Sequence, residues 1–262
     1  MDATASGSTP VSLWWIALLA LLALIAAREV GYLLRKHREK SRPGAEIESE
    51  DGFSMTSVMG LLALLIGFTF SLSLQRHEAR RELVMNEANA LGTAWLRMQL
   101  LDDSERMKLG RLLRQYVDVR VRWGVAASAD DEDRAYRESE TLQQQLWTET
   151  VAAVKPLGAS TLAPLVVDST NEYMDVSEQR FALREAHLPP QLLRFLAAYA
   201  LISAGMIGFH KGRHRLVTTV LFVLLTLAGT LILDLDIPRG GSVLVSQQPM
   251  LDLQATMAKT RQ

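Results

Sequence analysis

The chain of 262 residues contains no cysteine. That excludes a disulfide scaffold, a zinc–thiolate site, an iron–sulfur cluster and a thiol nucleophile. It also has no excess of either charge. Its 28 Lys and Arg face 29 Asp and Glu, a balance that gives no support for a nucleic-acid partner. No glycine-rich loop is present to cradle a phosphate, no serine sits in a nucleophile-elbow context, and no carboxylate pair stands out. Of the five histidines only His210 and His214 share helical spacing. Lys211, Arg213 and Arg215 surround them and would repel a metal ion. The run Asp130-Asp131-Glu132-Asp133 lacks the spaced ligands and glycine of a calcium loop. It reads as a solvated helix N-terminus, where the macrodipole favours acids. The expectation is a protein that is not an enzyme and carries no metal or cofactor.

What the chain does have is segregation. Charged residues make up 22% of it and crowd between four apolar blocks, which rules out a single soluble globule or a disordered chain. The blocks run from Val11 to Ala27, Met55 to Leu74, Leu192 to Phe209 and Leu216 to Leu233. Each is about the length that crosses a ~30 Å hydrocarbon core as a helix, and helix is the state that satisfies its backbone there. In the third block Arg194 must snorkel to the headgroups. The first block has Asp2 before it and Arg28, Arg35, Lys36, Arg38, Lys40 and Arg42 after it. A cleaved signal peptide has the opposite polarity, so a retained helix is expected. The short loop from His210 to Arg215 is also basic and forces a hairpin.

These features predict an all-α fold: a four-helix transmembrane protein with a helical domain inserted between the second and third membrane helices. Residues 1–75 hold the first two membrane helices and 76–190 an extramembrane domain. Residues 191–234 form a membrane hairpin, and 235–262 a turn and a short helix. In the insertion, Val84, Ala88, Leu91, Trp95 and Met98 recur at spacings of four and three, as do Leu109, Leu112, Tyr116, Val119 and Trp123. Both are amphipathic helix stripes. No Gly or Pro interrupts residues 68–91, so block two continues out of the membrane as one helix, ending near Asp102–Glu105. Further helices are expected over 131–154, stopped by Pro156 and Gly158, and over 161–186. Ser242–Ser246 reads as a short extended piece before a last helix from Pro249 to Lys259.

Block two carries the sharpest functional signal. Leu62, Ile66, Phe70 and Leu74 recur every fourth residue, and Gly60, Gly67 and Ser71 are small enough to admit a neighbouring helix. A ring of such helices would present Ile66 and Phe70 as an apolar constriction, a device that gates ions by dewetting. Arg76 and Arg80 follow on one face and would concentrate anions at a pore mouth.

The run Phe68-x-Phe70 through Arg76, Ala79-Arg80-Arg81 and Asn86-Glu87-Ala88-Asn89-Ala90, with Asp234-Leu-Asp236-x-Pro238-Arg-Gly240 and Ser246-Gln-x-Pro249-x-Leu251, resembles the bacterial bestrophin-like domain family. Through it the chain is distantly similar to the bestrophin anion channels. The resemblance covers nearly the whole chain and implies a homo-oligomeric ion channel, pentameric in bestrophins, with a permeant anion, in the bacterial inner membrane. It makes the second membrane helix line the pore, with Ile66, Phe70 and Leu74 as neck positions, beside the Arg76 and Arg80 charge already read at the mouth. Asp234, Asp236 and Pro238 would form the acidic turn after the fourth span. Two departures stand out: the pore helix is mostly leucine, and no acidic calcium clasp is evident. The resemblance also places the inserted domain in the cytosol, whereas the basic-loop count places it outside. An alternative role is a non-conducting scaffold or sensor whose inserted domain docks a partner through its two apolar stripes.

Overall fold

The computed structural model describes residues 10–41, 51–158, 160–210, 215–239 and 241–259. His214, Gly240 and most of the basic hairpin loop lie outside them. Among the described residues the elements are helical throughout: α1 (Pro10–Ser41), α2 (Asp51–Met98), α3 (Asp103–Gly124), α4 (Ala129–Val154), α5 (Leu162–Glu185), α6 (Pro190–His210), α7 (Arg215–Asp236) and α8 (Gln248–Lys259). The chain is an all-α integral membrane protein. The four apolar blocks lie in α1, α2, α6 and α7, and these regions are long and apolar enough to cross a membrane.

The 48 residues of α2 extend ~70 Å at 1.5 Å per residue, more than twice the thickness of a bilayer's apolar core. Its first half packs with α6 and α7; its second half packs with α3, α5 and α8. It stops at Met98, four residues short of the acidic signal. There the hydrogen bonds tighten to the i, i+3 kind at Gln99, Leu100 and Leu101, a common way for a last turn to unwind. Ser128 starts α4 by accepting the Asp131 amide at 3.1 Å. Lys155–Leu157 form a single 3-10 turn, and Gly158 leaves it at φ +57°, where other residues are strained. Pro190 opens α6, where its missing amide costs nothing.

Both sequence stripes turn inward. Val84, Ala88, Leu91, Trp95 and Met98 of α2 share one core with Leu109, Tyr116, Leu146, Val166, Tyr173, Met250 and Met257. Val119 and Trp123 lie in an adjoining cluster. Neither stripe is free to dock another protein, so the scaffold reading loses the surface that carried it. Ser242–Ser246 forms no strand.

The membrane end is pinned by close backbone approach. A Cβ on Gly31 would overlap the Gly205 carbonyl, with its carbon at 2.8 Å, and a Cβ on Gly208 would come within 2.8 Å of the Arg28 carbonyl carbon. Small residues here let α1 and α6 touch main chain to main chain. Arg28 donates to Thr218 Oγ1 at 3.0 Å and to the Arg215 carbonyl at 3.2 Å. Arg35 donates to the His210 carbonyl at 2.9 Å, at the end of α6, where helix carbonyls call for outside donors. Two arginines counted as loop charge are thus structural ties.

Candidate functional site

Along the apolar half of α2 the side chains divide into two faces. Leu62, Thr69 and Ser73 are buried, and Ser73 donates to the Ile232 carbonyl of α7 at 3.2 Å. On the opposite side Leu64 and Phe68 are 53% and 61% exposed, and Leu61 and Leu72 are exposed with them. A Cβ on Gly60 or Gly67 would meet nothing within 4 Å. At 100° per residue, Ile66 lies about 40° from Leu62, on the inward side. Ile66 and Phe70 are half-buried, whereas Leu74 is exposed. The outward face continues past the apolar run as Gln75, Glu78, Glu82, Met85 and Asn89, all exposed. Arg81 flanks it and pairs with Glu78 at 3.6 Å.

Arg76 and Arg80 stand on the inward side. Arg80 is buried and donates to the carbonyls of Leu183 at 3.2 Å, Leu235 at 3.2 Å and Ala186 at 2.7 Å. It stitches the ends of α5 and α7 to α2. Arg76 lies 3.9 Å from Asp236. Asp236 also accepts the Leu188 amide at 2.9 Å and has His187 at 3.5 Å, so it fixes the bend between α5 and α6. Asp234 accepts from the Ser242 amide at 2.7 Å and from its hydroxyl. This folds the segment after α7 back, and Gly241 fits beside the carboxylate because a Cβ would sit 2.6 Å from it. The acidic turn is a set of main-chain clamps, and Pro238 lines a cavity beside it.

The densest charge cluster was only partly visible in the sequence. Glu87 is fully buried. It accepts from Arg120 at 2.6 and 3.3 Å and from Arg180. Burial by itself would raise the Glu87 carboxyl, but the two guanidiniums pull it below its ordinary value. A second carboxylate, Glu132, pairs with Arg184 at 2.6 Å and with Arg239. Burial, with Arg180, Arg239 and Arg120 close by, lowers Arg184 to about 10 despite that pairing. Arg120, Arg184 and Arg180 stack over the Trp123 ring at 4.3, 4.4 and 4.9 Å from its centroid. Glu87 and Arg120 could have been found by spacing, since each interrupts an apolar stripe that turns inward. Glu132 could not, because it hides in a run whose other members are exposed.

Among the described residues no three His, Asp or Glu side chains gather to hold a metal. Four membrane helices with one carried into a helical bundle define the class, and the family follows from comparison. Residues 20–250 match the Bestrophin-like domain, and the chain belongs to that family. No curated protein is significantly similar. Among solved structures, a leucine-to-threonine variant of a bacterial bestrophin homologue from Klebsiella pneumoniae superposes with a TM-score of 0.68 at 14% identity, covering 95% of this chain and 99% of that one. A tryptophan-to-alanine variant of the same homologue gives 0.67 at 14% identity, covering 95% and 96%. The fold is that of these homologues.

Proposed function

We propose that the protein is a bestrophin-type ion channel built from several copies of this chain around a pore lined by α2. The apolar runs embed in the plasma membrane and residues 76–190 form a domain outside it. The observation that carries the reading is the outward face of α2. Leu64, Phe68 and their neighbours are left exposed by the protomer, although the same helix is packed on its other side. Family membership supports self-association, and the printed description of the Klebsiella pneumoniae protein as a bestrophin homologue supports the class of activity.

The neck then sits on the outward face of α2 rather than at Ile66 and Phe70. Ile66 turns toward the protomer's own bundle and Phe70 is half-buried, so Leu64 and Phe68 take the central constriction in this proposal. Leu74 remains on the exposed side. The charge at the mouth changes as well. Arg80 is spent on three carbonyls and Arg76 faces Asp236, so neither supplies a free positive ring. Glu78 and Glu82 stand on the exposed face one and two turns beyond Leu74. A ring of carboxylates at a low-dielectric opening concentrates cations. With Arg81 paired to Glu78, Glu82 is the carboxylate left over, and the face favours cations over the anions expected from resemblance.

The test is flux from vesicles containing the purified protein, with a reversal potential under a salt gradient. The proposal expects a protein-dependent current biased to cations. Phe68→Ala should raise it about tenfold or more, since removing the constriction lowers a barrier worth ~1.4 kcal/mol per decade. Phe70→Ala should change it less, and Glu82→Gln should move the reversal potential toward anions. No current above empty vesicles would remove the channel reading. An anion-selective current that Glu82→Gln leaves unmoved would return the mouth to other residues.

A further inference from the structure

Beside the arginine cluster, away from the apolar runs, lies a cavity of about 590 Å³, the size of a small-molecule site. One side is cationic: Arg180, Arg184 and Arg239 line it, and among the described residues no carboxylate does. The other side is apolar, with Val84, Val125, Leu244 and Leu251. Between the two stands Trp123, fully buried, whose indole Nε1 has no hydrogen-bond partner. Arg120 Nη1 behind it also lacks one.

The charge count agrees. Arg120 and Arg180 share Glu87, and Arg184 and Arg239 share Glu132. Four guanidiniums against two carboxylates leave an excess of two positive charges beside an apolar wall. Self-repelling cations of this kind are held where an anion completes them. Gly124 admits the Gln247 amide against Arg180 at the cavity edge: a Cβ there would sit 2.7 Å from the Gln247 amide carbon and 3.1 Å from Arg180 Nη2.

We propose that this cavity binds a small organic anion, a phosphate or carboxylate head on a flat apolar body. The head lies against Arg239 and Arg184, and the body lies along Val125 and Leu244, the exposed apolar lining. Because the walls come from α3, α5 and the segment after α7, occupancy would brace the return from the last membrane helix against the helical bundle.

Phenyl phosphate, benzoate, inorganic phosphate and benzyl alcohol serve as probes against the detergent-purified full chain, read by thermal unfolding. An aryl anion should raise the midpoint in a saturable way. Inorganic phosphate and benzyl alcohol should need at least tenfold higher concentration, and the better of the two aryl anions identifies the head group. Two variants on the rim, Arg239→Gln and Ala127→Asp, should weaken the effect at least tenfold. The second alters no ion pair and only adds a repelling charge to an exposed lining residue. Absence of a saturable shift with either aryl anion would overturn the site, as would a shift that both variants leave intact. Equal potency of inorganic phosphate would overturn the apolar half. None of these readouts requires conduction, so the site and the channel stand or fall separately.

Discussion

Glu87→Leu collapses the helical bundle. The side chain is fully buried between Arg120 and Arg180, themselves buried. Its loss leaves two guanidiniums facing each other with no counter-charge. Removing one partner of a buried ion pair costs about 3–5 kcal/mol, a large part of the ~5–15 kcal/mol that holds a domain folded. The expected result is a protein that is lost to proteolysis or melts far below the parent. Glu82→Gln, on the exposed face of the same helix, should stay within about 0.5 kcal/mol. Acid should do slowly what the substitution does at once. The folded Glu87 carboxyl lies below the ordinary value of 4.5, so its contribution is fully present above that value. It is lost as pH falls through the lower folded value. Denaturant titrations from pH 7 to pH 3 should show a stability plateau down to about 4.5 and a decline beneath it. A Glu87→Leu protein as stable as the parent at neutral pH would show that the triad holds nothing together.

The second large effect is expected in the membrane end. Gly208→Leu cannot be accommodated, because even a Cβ at this position runs into the main chain of Arg28. Neighbouring main chain cannot swing aside as a flexible side chain can. Gly208→Ala should therefore cost about 1–3 kcal/mol by overpacking, and Gly208→Leu should separate α1 from α6. The Arg35 bond to the His210 carbonyl would be lost with that contact. Gly229→Ala is the matched control, since a Cβ there meets nothing within 4 Å, and it should be neutral or slightly stabilising in a helix. Thermal unfolding of the three variants in one detergent separates them. Similar midpoints for Gly208→Leu and Gly229→Ala would mean that the close crossing is not needed.

How legible these features were depends on what set them. Helix existence followed from local signals. Pro156, Gly158 and Pro190 break the chain, and Ser128 begins α4 with its own hydroxyl, so most boundaries lie within a few residues of expectation. The two stripes of the bundle were legible because water supplies contrast: their far sides are polar, and only one phase buries the apolar set. The membrane half of α2 has no such contrast. Leu62, Leu64, Ile66, Phe68 and Phe70 are all apolar, so the period is visible and the rotation is not. Burial within the protomer is what turns Ile66 inward and leaves Phe68 exposed. Arg80 was misleading for a related reason. A guanidinium at a membrane edge reads as exposed charge until three carbonyls from α5 and α7 arrive, up to 155 residues away along the chain. Glu87 and Arg120, 33 residues apart, could each be placed on an inward face. That they meet is a property of the packing alone.

The account centres on an assembly that turns the outward face of α2 to a shared axis. Single-particle imaging of the detergent-purified protein tests this most directly. The expected result is a closed ring with a central axis bordered by α2, Leu64 and Phe68 nearest to it, and Glu78 and Glu82 at the opening. A monomer would contradict the account, and so would a ring whose axis is bordered by α1 or α7 with the Leu64–Phe68 face turned to lipid.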